Sequence, residues 1–155
     1  WQEKTYYKFG IGPLFGSFSN PTNKSSTSAG FRLDMMSAYS AIGVDFKTFA
    51  YEPDQKTNLT KEARFYEIKP WLHYYKAKLA PANYFVPYIG LAPSFNMVKE
   101  TENGISSSYN RFGLHAMIGL RSTINETFRL FGEAEYAYIK DVNGFNASLG
   151  ALYLF

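Results

Sequence analysis

The chain has 155 residues, no cysteine, and 16 Lys and Arg against 13 Asp and Glu, a formal charge of +3. That length is expected to form a single domain over residues 1–155. The missing cysteines exclude disulfides and thiolate metal sites, and the scattered basic residues offer no nucleic-acid face. Aromatic residues reach 19%, yet no run approaches the ~20 apolar residues of a membrane helix, so a membrane span must be made of strands.

A hydrophobic period of two predicts an all-β chain of eight strands. The opening Trp1-Gln2-Glu3-Lys4 carries no leader, and an exported form is expected to be mature. The first strand runs Tyr6 to Phe18, followed by a polar loop, Ser19 to Ser28. The second, Ala29 to Met36, sets Phe31, Leu33 and Met35 against Arg32 and Asp34. After Ser37-Ala38-Tyr39 the third, Ser40 to Tyr51, sets Ile42, Val44, Phe46 and Thr48 against Gly43, Asp45 and Lys47.

A polar loop, Glu52 to Glu62, leads to the fourth strand, Ala63 to Tyr75, with Glu67 and Lys69 on its polar face. The fifth is Tyr84 to Val98, and the polar stretch Lys99 to Asn110 is expected to be loop. The sixth strand, Arg111 to Ser122, alternates Phe112, Leu114, Ala116, Ile118 and Leu120 with Arg111, Gly113, His115, Met117, Gly119 and Arg121. The seventh, Thr127 to Ile139, brings Arg129, Glu133 and Glu135 to one face. Pro13, Pro70 and Pro93 fall within strands, where a closed sheet has no edge to hide a missing N–H; local bulges or nearer strand ends are the expected remedy.

The last strand, Phe145 to Phe155, has an apolar face of Ala147, Leu149, Ala151, Tyr153 and Phe155, opposite Asn146, Ser148 and Gly150. Short and long polar connections alternate along the chain, as in an up-and-down barrel with unlike ends. An even number of strands returns both termini to the tight-turn end.

Alternation alone leaves open which face points inward. A soluble lipocalin-like ligand-binding barrel would line a cavity with Phe112, Leu114, Ile118 and Leu130. Three features favour the inverse, a membrane barrel. The polar face is rich in glycine, which inside a narrow barrel makes room for long charged neighbours. It carries opposed charges at mid-strand: Lys8, Arg32, Lys47, Lys69, Arg111, Arg121 and Arg129 against Asp34, Asp45, Glu67, Glu133 and Glu135. The ends of the apolar band are aromatic: Tyr7, Tyr74, Phe85, Phe128 and Tyr153 at one end, Phe15, Phe31, Phe95, Phe112, Tyr136 and Tyr138 at the other.

With that strand count, those girdles and the terminal Leu149-Gly150-Ala151-Leu152-Tyr153-Leu154-Phe155, the chain resembles the small eight-stranded outer-membrane barrels. These include the OmpA transmembrane domain and the OmpX, Ail and opacity-protein group. Pro87-Tyr88-Ile89-Gly90-Leu91 is similar to a strand opening common among them. The resemblance implies a Gram-negative outer membrane, periplasmic termini, extracellular long loops and insertion by the barrel-assembly machinery. That machinery would read a signal formed by Leu149, Ala151, Tyr153 and Phe155.

Some barrels of this size modify lipid A, so a lipid A-modifying enzyme is the competing class. The nucleophile pattern His-x-Ser is missing at both His73 and His115. One route remains, His115 with Glu133 or Glu135 and a loop serine among Ser106 to Ser108; a structural histidine in a polar interior is preferred, and no catalytic residue is assigned. No cofactor or metal is expected. Eight strands leave an interior just wide enough for side chains to fill, so paired charges are expected to plug it. Lys24, Lys56, Lys61, Lys99 and Lys140 either meet lipopolysaccharide phosphates or keep the loops solvated. A monomer is expected, in contact with outer-membrane lipid and lipopolysaccharide and acting as a non-enzymatic support of the envelope.

Overall fold

A computed structural model describes residues 8–20, 23–36, 40–51, 61–75, 85–102, 104–123, 127–139 and 143–155. They form β1 (Lys8–Asn20), β2 (Asn23–Met36), β3 (Ser40–Tyr51), β4 (Lys61–Tyr75), β5 (Phe85–Glu102), β6 (Ile105–Thr123), β7 (Phe128–Ile139) and β8 (Gly144–Leu154). Each strand pairs antiparallel with the next, and β1 pairs with β8 to close the barrel. Closure sets Gly10 opposite Leu154, and Phe155 N–H donates to Phe9 O at 3.0 Å. The first and last strands therefore meet at the tight-turn end.

Alternate residues separate cleanly. Phe112, Leu114, Ile118 and Leu130 are 42–64% exposed on the outer wall, whereas Arg32, Asp45 and Lys69 are fully buried. The soluble-cavity arrangement fails on this point. Closure pairs each strand on both sides within the apolar band, apart from the interruptions at the prolines, which lets an apolar exterior stand against lipid. The girdle positions Tyr74, Phe85, Phe128 and Tyr153, and at the other end Phe15, Phe31, Phe95, Phe112, Tyr136 and Tyr138, all face outward; Tyr7 lies outside the described residues.

Three sequence expectations need correction. First, the polar stretches Ser19–Ser28 and Lys99–Asn110 are largely strand: β1 and β2 pair as far as Asn20 with Asn23, and β5 and β6 as far as Glu102 with Ile105. Beyond the apolar band both faces of a hairpin meet polar surroundings. Backbone pairing continues there, but the alternation that signals it disappears.

Second, no bulge accommodates the prolines. Pro70 and Pro93 face one another, because the β4–β5 ladder passes from Ile68 with Phe95 to Leu72 with Leu91 in unchanged register. Both prolines still hold register with their other neighbours, Val44 and Leu114. Two residues without an N–H thus share a single interruption of the ladder. Pro13 is handled alike: the β1–β8 ladder skips from Ile11 with Tyr153 to Leu14 with Gly150.

Third, Gly43, Gly119 and Gly150 make room for aromatic rings rather than for long charged chains. A Cβ on Gly43 would collide with the Trp71 indole and the Leu33 carbonyl, and one on Gly119 with the Tyr88 ring. A side chain at either position would expel an interior ring or push neighbouring strands apart.

Candidate functional site

The interior is layered along the barrel axis. At the loop end Phe18, Phe49, Phe65, Val98, Ala137 and Ile139 form a buried apolar cluster with Tyr109 packed against it. Phe49 stacks between Phe18 and Phe65, at 5.2 and 4.8 Å between ring centres.

Beneath it lies a charged layer. Arg32 donates through Nε and Nη2 to the two oxygens of Asp45 at 2.7 and 2.8 Å, and through Nη2 to Glu133 Oε1 at 2.6 Å. A bidentate guanidinium–carboxylate pair fixes direction as well as charge. Trp71 Nε1–H donates to Asp45 Oδ1 at 2.8 Å and the Tyr88 hydroxyl to Glu133 Oε2 at 2.6 Å, so each carboxylate has a neutral donor besides its cation. Lys69 Nζ donates to Glu135 Oε2 at 2.7 Å and lies 3.6 Å from Asp45. Lys47 Nζ stands 3.4 Å from Glu135 Oε1, where Asn146 Nδ2 also donates at 3.0 Å.

An aromatic tier follows toward the tight turns. His73 lies between Trp71 and Tyr88, 3.9 and 4.3 Å from their ring centres. The Arg32 guanidinium is 4.1 Å from the Phe131 ring centre and 4.9 Å from that of Trp71. The last tier holds a second charge group. Arg121 sits 5.0 Å from the ring centres of both Tyr75 and Tyr88, its Nη2 3.1 Å from His73 Nδ1 and 3.5 Å from Asp34 Oδ2. Arg129 Nη1 touches Met36 Sδ.

Most of the residues singled out from sequence therefore meet. Arg32, Asp45, Lys47, Glu67, Lys69, His115, Glu133 and Glu135 lie in the charged layer, and Asp34, Arg121 and Arg129 form the separate tier below. Arg111 stands apart at the loop end, its guanidinium 4.7 Å from the Tyr109 ring centre. Nothing is described of the Lys8 side chain.

His115 does not meet the loop serines Ser106 to Ser108, which lie exposed on the projecting β6 arm. Its Nε2 is 2.7 Å from Ser94 Oγ and its Nδ1 3.4 Å from Glu135 Oε1. Asn96 Nδ2 donates to the same Ser94 oxygen at 3.0 Å, and Ser94 is fully buried. Ser94 was invisible to sequence reasoning because its partner lies 21 residues away across the β5–β6 ladder.

Among the lysines considered for the rim, Lys99 is exposed, with Nζ 5.6 Å from the Tyr66 ring centre. Lys24 and Lys61 belong to the loop-end stretches of β2 and β4, while Lys56 and Lys140 lie outside the described residues. The exposed cation missed from sequence is Arg64, the register partner of Lys99. Beyond the apolar band the Tyr109 hydroxyl donates to Glu100 Oε1 at 2.5 Å. Burial first, then that hydrogen bond, raises the Tyr109 pKa above the ordinary phenol value. On β8, Leu149, Tyr153 and Phe155 point outward beside the half-buried Ala151. Among the described residues no group of His, Asp and Glu is arranged to hold a metal ion.

The sequence matches the model of the outer membrane protein β-barrel domain over residues 2–155. The chain belongs to that family. Solved structures agree in fold. Neisserial surface protein A superposes with a TM-score of 0.71 at 15% identity, covering 99% of this chain and 100% of that one. Ail of Yersinia pestis, in complex with the heparin analogue sucrose octasulfate, gives 0.63 at 17%, covering 98% and 99%. The N-terminal β-barrel domain of Pseudomonas aeruginosa OprF gives 0.65 at 11%, covering 98% and 100%. Curated proteins yield no match to this sequence. At such identities these neighbours share a fold with this outer-membrane barrel, and function has to be argued from its own residues.

Proposed function

We propose that this outer-membrane barrel supports the envelope as a plugged, non-conducting, non-enzymatic monomer whose loop end faces the cell exterior. The observation that supports the reading is the interior itself, where a buried aromatic cluster and a network of paired charges lie at successive levels. The cost of desolvating charge falls when each ion has partners, so such an interior favours staying dry and closed over conducting. The loop-end hairpin supports surface contact. β6 pairs with β5 from Ile105 onward, whereas its ladder to β7 begins at Gly113. Among the described residues an edge of β6 thus stands beyond the band, available to a partner.

The competing reading, a lipid A-modifying enzyme, draws on the 2.7 Å contact of His115 with Ser94. Burial of the serine beneath the apolar cluster and the hydrogen bond from Asn96 favour a structural role. Mass spectrometry of lipid A from cells with and without the protein separates the two. An unchanged acyl pattern together with raised detergent sensitivity in the deletion strain is expected; an altered acyl pattern overturns the structural reading. For biogenesis, recognition of Leu149, Ala151, Tyr153 and Phe155 by the assembly machinery predicts lower membrane levels on deleting Phe155 than on replacing Lys99. Equal levels would sink the terminal signal.

A further inference from the structure

On the outer wall between β2 and β6, toward the loop end, lies a groove of about 720 Å³. Phe31, Phe46, Tyr66, Ile68, Phe95 and Phe112 supply its apolar lining. Phe31 stacks on Phe46 at 4.9 Å and Phe95 meets Phe112 edge-on at 5.4 Å, so each flank is a braced aromatic pair. Thr48 also lines the groove, and its Oγ1 is shielded from solvent with no hydrogen-bond partner among the described residues.

One step toward the loops, on the same outward face, Arg64 and Lys99 stand as register partners. Arg64 precedes Tyr66 by two residues on β4, and Lys99 lies over the Tyr66 ring. Beyond them the projecting hairpin turns polar on its outward side. Asn110 is opposite Met97, Ser108 opposite Lys99 and Ser106 opposite Thr101, all exposed save for their place in the ladder. Three tiers therefore follow one another along the axis: a hydrocarbon slot, two cations, and a shelf of hydroxyl and amide groups. A second groove on the wall, about 550 Å³ around Leu72, Ile89, Leu91 and Ile118, has apolar outward residues and, among the described residues, lacks such a sequence of tiers.

We propose that this face binds a phosphorylated, acylated sugar lipid of the outer leaflet. Its chains lie in the aromatic groove, its phosphate between Arg64 and Lys99, and its sugar along Asn110, Ser108 and Ser106. A phospholipid headgroup ends near the level of its phosphate and leaves the shelf empty, whereas a sugar headgroup continues onto it. Arg64 can grip phosphate through two parallel N–H donors and Lys99 adds a point charge. The assignment rests on the loop end facing outward.

The test uses the full chain in detergent micelles, titrated with bisphosphorylated lipid A, dephosphorylated lipid A and phosphatidylglycerol. Bisphosphorylated lipid A is expected to bind about ten-fold more tightly than either other lipid, the scale of one charge-assisted hydrogen bond. Arg64→Ala with Lys99→Ala should erase that preference, while Arg64→Lys with Lys99→Arg keeps most of it. Lys24→Ala with Lys140→Ala should leave it intact. All three double variants are checked for heat-modifiable gel mobility, which reports the folded barrel. Equal affinity for phosphatidylglycerol, an unaffected Arg64/Lys99 pair, or equal loss in the Lys24/Lys140 pair overturns the site. Orientation is read separately, by labelling Lys99→Cys on intact cells with a membrane-impermeant maleimide. Labelling without selective binding removes the site alone; selective binding without labelling removes the orientation.

Discussion

At the loop end the barrel interior holds hydrocarbon, with Phe18, Phe49, Phe65, Val98 and Ile139 in one buried cluster. At the tight-turn end it holds Arg121, Arg129 and Asp34 set among Tyr75 and Tyr88. The two solutions differ in how their central carboxylates, Asp45 and Asp34, are held. Under the aromatic cluster Asp45 has two guanidinium contacts and an indole donor. In the tight-turn tier both Asp34 oxygens, and Arg121 Nε and Nη1, lack a hydrogen-bond partner among the described residues. Both tiers are buried, so the difference is one of geometry: Arg32 meets Asp45 through two donors at 2.7 and 2.8 Å, whereas Arg121 meets Asp34 at 3.5 Å.

That contrast can be broken at graded cost. Arg32→Ala removes the shared partner of Asp45 and Glu133, and is expected to lower unfolding free energy by roughly 3–5 kcal/mol in urea titrations of the reconstituted barrel. Phe65→Ala at the loop end should cost about 3 kcal/mol and raise single-channel conductance in planar bilayers. A stable but still silent variant would mean that the charged layer alone blocks ions.

Double-mutant cycles sharpen the comparison directly. The coupling of Arg32 with Asp45 is expected at about 2–3 kcal/mol, that of Arg121 with Asp34 below ~1 kcal/mol. Equal couplings would show that the two tiers are energetically alike. Among the single substitutions the smallest effect belongs to Tyr88→Phe, which leaves the aromatic stack but withdraws a donor from Glu133. About 1–2 kcal/mol is expected, measured as a shift in the urea midpoint without change in slope.

Much of this was readable along the chain. Phe112, Leu114, Ile118 and Leu130 declare the outer wall because the strand period is two and a lipid-facing residue has no polar alternative. Arg32, Asp45, Lys69 and Glu135 declare the interior, since charges of both signs at mid-strand need one another. The hairpin arms Asn23–Ser28 and Lys99–Asn110 were not readable as strand, because pairing between two wet faces leaves no hydrophobic trace. Nor was the aromatic tier of Trp71, His73 and Tyr88, as these residues share a face with polar neighbours and find each other only across β4 and β5.

The amino-acid sequence by itself determined the strand count, the two faces of each strand and the closing role of β8, all of which follow from local period and side-chain polarity. Tertiary structure alone decided the partners. It set Pro70 opposite Pro93, chose Asp45 and Glu133 for Arg32, moved His115 to Ser94, and stood Arg64 beside Lys99. Those pairings depend on the register between strands and on which chains reach across the barrel. Neither quantity has a signature within a single strand.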